Sequence, residues 1–205
     1  MMTLEIKHQE RYSRGELLLR TFFGFFYIIL PHYFLLAFVG IASAFVSFLA
    51  FWAILFTGRY PRSWFDFQVN YNRWSLRVYA RIYNLADGYP AFGFNAQDEH
   101  VTFDVEYPEY ISRGSVLLRA LFGWFYVGIP HGFVLGLLSI AVAFLNFIGF
   151  FVVLFLGRYP QSMFDFQLYF LRWSQRVSLF LGYMTQEYPP FTGAADTPNP
   201  APTAA

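Results

Sequence analysis

Residues 17–57, LLLRTFFGFFYIILPHYFLLAFVGIASAFVSFLAFWAILFT, hold a single charge, Arg20. A second run, Val116 to Leu156, holds only Arg119. Each run is about 40 residues long, and one membrane-spanning helix needs about 20. A single straight helix would be far too long for a bilayer. Each run is therefore expected to be two helices or one bent helix. Which of these it is decides the fold.

The two runs are copies. The first closes on Gly58-Arg59-Tyr60-Pro61, Phe65-Asp66-Phe67-Gln68 and Arg73-Trp74-Ser75. The second closes on Gly157-Arg158-Tyr159-Pro160, Phe164-Asp165-Phe166-Gln167 and Arg172-Trp173-Ser174, an unbroken offset of 99. Roughly half of the aligned positions are identical, the mark of an internal tandem repeat.

Composition points away from a soluble domain. Of the 205 residues, 57% are hydrophobic, 28 are Phe and only 13% are charged, against roughly 25% charged in an average soluble protein. So much apolar surface calls for lipid as its solvent. The absence of cysteine excludes disulfides, thiolate metal sites and Cys nucleophiles. Residues 1–16 are polar and no small-residue cleavage pattern follows the first run, so that run is expected to stay in the membrane.

The charge distribution favours a hairpin. Arg14 and Arg20 flank the start of the first run, and Arg59, Arg62, Arg73, Arg77 and Arg81 follow its end. Positive charge collects on the cytoplasmic side, and only a reversal puts both clusters there. The expected helices are 15–38 and 41–57, then 114–137 and 140–156, with turns near Gly40-Ile41-Ala42-Ser43 and Leu138-Ser139-Ile140. A shallow wedge that never fully crosses is the competing shape. A third helix follows each hairpin, 62–86 and 161–185. Its aromatic stripe (Phe67, Tyr71, Trp74, Val78) opposes a polar one (Asp66, Asn70, Arg73, Arg77), which suits a helix lying in the headgroup layer.

Alternation in Thr3–Gln9 and Val101–Tyr107 predicts two short extramembrane strands, with Ala91–Asn95 a further pairing partner. The expectation is thus an all-α integral membrane protein of two tandem repeats, residues 1–95 and 96–193, with a disordered tail at 194–205. Amino and carboxyl termini both lie on the cytoplasmic side. The two copies run parallel about an axis along the membrane normal.

These motifs resemble a bacterial membrane family catalogued as domain of unknown function 4389. The resemblance rests on Arg-x10-Pro-His, Gly-Arg-Tyr-Pro, Phe-Asp-Phe, Arg-Trp-Ser-x-Arg-Val and the closing Tyr-Pro-x-Phe, and it covers residues 12–92 and 111–192. It implies a small multi-pass protein of the bacterial inner membrane and supplies no catalytic residues. The first copy has Ala91 where the family has a second proline, kept as Pro190 in the second copy.

His32 and His131 follow Pro31 and Pro130. Eleven residues past Arg20 is about 16 Å along a helix, near the midplane of a core about 30 Å thick. Each imidazole is read as a neutral hydrogen-bonding group between helices. The alternative is a pair that meets near the pseudo-twofold and binds haem or chlorin. Arg59, Arg73, Arg77 and Trp74, with Arg158, Arg172, Arg176 and Trp173, form the expected lipid-headgroup set. Asp66 and Asp165 are expected in structural ion pairs with Arg59 and Arg158, or Arg73 and Arg172. Arg62 is set aside there, because its counterpart is Gln161. No resident metal, no catalytic residue and no nucleic-acid partner are expected.

The leading functional expectation is a non-enzymatic structural or accessory subunit that packs against other membrane-protein subunits or itself and holds anionic membrane lipid. A cofactor carrier or transporter using the paired histidines, and a membrane-shaping hairpin protein, are the alternatives.

Overall fold

The computed structural model describes residues 1–196; residues 197–205, most of the expected disordered tail, lie outside the described residues. Within that tail, Asp196 is packed: its carboxylate accepts from the Met2 amide at 2.9 Å and pairs with Arg176.

The element order is β1 (Met2–Ile6), α1 (Arg14–Thr57), α2 (Arg62–Ile82), β2 (Val101–Val105), α3 (Arg113–Leu156) and α4 (Gln161–Leu181). The expected hairpins are absent. Each apolar run is one helix of 44 residues, about 66 Å of axis. Nothing at Gly40–Ser43 forces a turn: a helical Gly costs only about 1 kcal/mol, and Ser43 Oγ donates to Gln68 at 2.5 Å from within the helix. The regular winding changes earlier, in π turns at Phe25–Ile29 and Trp124–Gly128. There the Leu30 amide reaches back to the Phe25 carbonyl and the Ile129 amide to that of Trp124. The prolines that follow have no N–H to continue the ladder, so the extra residue is accommodated just before them.

The chain reverses after the long helix. Gly58 (φ 73°) and Gly157 (φ 69°) take the left-handed conformation, and their amides bond to the Ile54 and Val153 carbonyls. An L side chain disfavours that conformation, which explains the glycine opening each Gly-Arg-Tyr-Pro phrase. Helices α2 and α4 stop short of the expected 86 and 185, at left-handed Asn84 and Tyr183. The Leu85 amide bonds to Ala80 and that of Met184 to Leu179, closing each end in a Schellman motif.

The strands pair with each other, not with 91–95. The register is antiparallel, Met2 against Val105, Leu4 against Phe103 and Ile6 against Val101. Met2, Leu4, Ile6, Val101, Phe103 and Val105 point inward, and Thr3, Glu5, Thr102 and Asp104 point outward. Leu4 and Phe103 are repeat counterparts, so a pseudo-twofold axis passes between them.

Reciprocal bonds confirm that axis. The Tyr12 amide donates to Gly157 O at 2.9 Å and the Ile111 amide to Gly58 O at 2.8 Å. Arg14 holds the Phe155 carbonyl and Arg113 that of Phe56, both at 2.9 Å. Arg73 donates to Phe103 O, and Arg172 to Leu4 O. Each strand therefore sits on the other copy's helix, across the boundary near residue 95, as in an isologous dimer fused into one chain.

Helix α2 is a middle layer between the long helix and the strands. Tyr71, Trp74, Val78 and Ile82 pack on Ile28 and Leu36 of α1. Val69, Leu76 and Ala80, on its opposite side, share a core with the strands. An amphipathic stripe fits a helical partner as well as it fits lipid, and here protein covers it. Contacts between α1 and α2 run from Ser47 against Gln68 to Arg20 against Asn84. Roughly 40 Å of α1 is thus tied at its two ends to roughly 24 Å of chain from Gln68 to Asn84.

Candidate functional site

The three layers leave one face of unusual character. Along α1 a narrow stripe is turned inward: Leu17, Gly24, Ile28, His32, Leu36, Ala50 and Ile54. The remaining circumference is apolar and exposed, including Phe26, Phe34, Phe38, Ile41 and Phe45. Helix α3 repeats this with Phe125, Phe133, Ile140, Phe144 and Phe155. Only 11% of the most apolar window of α1 and 17% of that of α3 are buried, and both helices are long and apolar enough to cross a membrane. The core helix of a soluble protein would be mostly covered. The outward faces of the strands, on the other side of the middle layer, are polar.

Beneath the apolar face lie the two histidines, each enclosed in its own repeat. His32 is fully buried; its Nδ1 accepts from Trp74 Nε1 at 2.9 Å, and its ring stacks on Phe92 at 3.8 Å. His131 repeats this with Trp173 at 2.9 Å and Phe191 at 3.9 Å. Nδ1 acts as acceptor, so each ring is the neutral tautomer carrying its proton on Nε2. In the second copy Nε2 meets Tyr188 Oη at 3.2 Å, and that hydroxyl donates to the Tyr126 carbonyl, which Pro130 leaves free. This agrees with the neutral hydrogen-bonding reading; the alternative, in which the two imidazoles meet at the pseudo-twofold, is not what the packing builds, for each ring's aromatic neighbours are its own repeat's Trp, Tyr and Phe.

The Arg-Trp-Ser and Tyr-Pro-x-Phe motifs are thereby explained together. The tryptophan supplies the donor and the phenylalanine the stacking plate. His32→Ala is expected to cost about 2–4 kcal/mol, through an unpaired buried indole N–H and a cavity under Phe92. Thermal unfolding in detergent reads this as a lowered midpoint, and an unchanged midpoint would contradict it.

The expected headgroup set does not gather at a surface. Arg77 is buried and donates to the Gly93 and Ala96 carbonyls, and Arg176 donates to Thr192 and Ala194. Burial lowers the Arg77 pKa, with Asp98 opposing the shift. Arg73 and Arg172 hold the opposite copy's strand, while Trp74 and Trp173 are covered. Of the set, Arg59 and Arg158 are exposed. The physical reason is that a guanidinium satisfies several carbonyls at once, so these arginines pin loops to helices.

Asp66 corrects another expectation. Its partner is Arg62, at 3.0 Å, and in the second copy Gln161 donates to Asp165 at 2.7 Å. The donor role is shared although the charge is not. Ser13 and Ser112 show the same substitution: their amides donate to Asp87 and to its counterpart Gln186.

Sequence reasoning missed the Gln of Phe-Asp-Phe-Gln. Gln68 bridges Ser43 and Ser47 of α1, and Gln167 meets Asn146 and Tyr159. The signal was present as two serines four apart inside an apolar run, one helical turn on one face. The buried pair Arg81–Asp98, at 2.9 Å, was missed too. Among the described residues, no group of three or more His, Asp or Glu side chains could hold a metal ion.

A family model, a domain of unknown function named DUF4389, matches residues 16–93 and again residues 113–193. No curated protein and no solved structure matches. The chain belongs to the DUF4389 family and carries two copies of its domain in tandem.

Proposed function

We propose that this chain is a non-enzymatic membrane protein that embeds α1 and α3 in one leaflet and shapes the bilayer as a wedge. One observation carries the reading: each apolar helix runs 44 residues without a turn. Its length of about 66 Å is twice the hydrocarbon thickness of about 30 Å. Its apolar circumference has no polar stripe, which favours hydrocarbon depth over the headgroup layer. The polar strand faces lie opposite, and the pseudo-twofold runs perpendicular to the strand pair, so both copies present their apolar helices to the same side. Two such helices in one leaflet add volume there and none in the other leaflet.

The accessory-subunit reading shares this placement and differs in what co-purifies from the native membrane. Trp124 is exposed on α3 and serves as a native reporter. In vesicles whose lipids carry brominated acyl chains, its emission is expected to be quenched, and acrylamide in the water should leave it unaffected. Trp124→Phe identifies the contribution. Quenching from the water phase would contradict the reading.

A further inference from the structure

The pseudo-twofold creates two junctions where the end of one long helix meets the start of the other, and they are not alike. At one, Arg14 and Arg158 flank Gly157. At the other, Arg113 and Arg59 flank Gly58, and Tyr110 lies over that glycine, so close that a Cβ there would meet its ring at 2.6 Å. The counterpart of Tyr110 is Arg11. At the first junction the space the tyrosine would fill stays open, a groove of about 600 Å³ lined by Arg11, Arg14 and Arg158 with Glu10 and Leu156. All three arginines are exposed. Arg14 spends one N–H on the Phe155 carbonyl. The guanidinium groups of Arg11 and Arg158 have no ion pair among the described residues. Three cations against one Glu make an anion site, and the flat guanidinium fork suits phosphate oxygens. On its other side the groove reaches Leu156, which with the neighbouring Phe155 is exposed at the end of the apolar face.

We propose that Arg11, Arg14 and Arg158 bind a phosphate group, and that the phosphate belongs to an anionic phospholipid whose acyl chains lie along Phe155 and Leu156. This rests on the embedded placement of α3, which brings the groove to headgroup level. It gives the molecule one such site, at only one of two otherwise matching junctions.

The test uses the full chain in detergent, with lipid retention read by native mass spectrometry. Phosphatidylglycerol and phosphatidylcholine are offered separately at equal concentration, and phosphatidylglycerol is offered again together with equimolar inorganic phosphate. The wild type is expected to retain one phosphatidylglycerol in preference to phosphatidylcholine. Arg11→Tyr, which installs the sister junction's residue, and Arg158→Gln should each weaken retention about fivefold. Arg59→Gln, at the closed junction, should leave it unchanged. Both groove variants alter exposed side chains, and circular dichroism checks their fold.

Undiminished retention by the Arg11→Tyr, Arg158→Gln double variant would overturn the site. So would an equal loss in Arg59→Gln. Full displacement of the lipid by equimolar inorganic phosphate would assign the groove to a free anion and overturn the lipid assignment. Acyl-bromine quenching of Trp124 separates the two failures: if quenching persists while the lipid is not retained, only the site is lost.

Discussion

Aspartate placed at both Ile41 and Ile140 is expected to take the chain off phospholipid vesicles while leaving its fold in detergent intact. The two positions are repeat counterparts near the middle of α1 and α3, and their side chains are 70% and 68% exposed. Because little protein packs on them, the substitution removes almost no internal contact. A carboxylate at hydrocarbon depth costs about 2.5–3.5 kcal/mol. Two of them lower partitioning by about four to five powers of ten. Flotation on a density gradient measures this: the wild type should rise with the vesicles and the double variant should stay below. Equal flotation would mean that the apolar face is not in the hydrocarbon. Serine at the same two positions is the milder control and should float.

The largest effect on folding is expected at Arg81. Its side chain and that of Asp98 are 4% and 3% exposed and meet at 2.9 Å. Asp98 Oδ1 also accepts from the His100 and Val101 amides, so this carboxylate starts β2. Arg81→Phe places the sister helix's residue, Phe180, at the matching position. The aromatic ring fits that register in α4, but here it strands a buried charge, and a cost of about 3–5 kcal/mol follows. Adding Asp98→Asn should recover much of the loss. The amide oxygen still accepts both backbone N–H groups and no charge remains. Unfolding midpoints of the four proteins in this cycle measure the coupling. An Arg81→Phe midpoint equal to the wild type would show that the pair contributes nothing.

The sequence made the repeat and the exposed apolar face legible, because both are written in side-chain type. The strands at residues 2–6 and 101–105 were legible from alternation. The path of the apolar run was not. A hairpin and one continuous helix of 44 residues use the same apolar residues, and the arginines at both ends of the run fit either shape. What separates them is the missing turn chemistry at Gly40–Ser43 and the buried stripe that holds Gln68, Trp74 and Val78 against one continuous helix. The arginines misled for a related reason. Composition places them at an interface, but Arg73, Arg77, Arg172 and Arg176 spend their donors on carbonyls distant in sequence. Pairing by charge set Arg62 aside, although pairing by hydrogen-bond role lets Gln161 stand for it. The strand exchange across the pseudo-twofold has no local signature at all.

In the wedge, the two ends of one apolar helix lie on the same side of the bilayer. The chain has no cysteine, so single cysteines report cleanly. Glu10 precedes α1 and Ser63 follows it, and both are exposed; Ile41 lies midway. Each is replaced by cysteine and challenged with an impermeant maleimide in right-side-out and in inverted membrane vesicles. Positions 10 and 63 are expected to react in the same vesicle orientation, and position 41 in neither. Reaction of 10 and 63 in opposite orientations would make α1 a spanning helix and contradict the wedge.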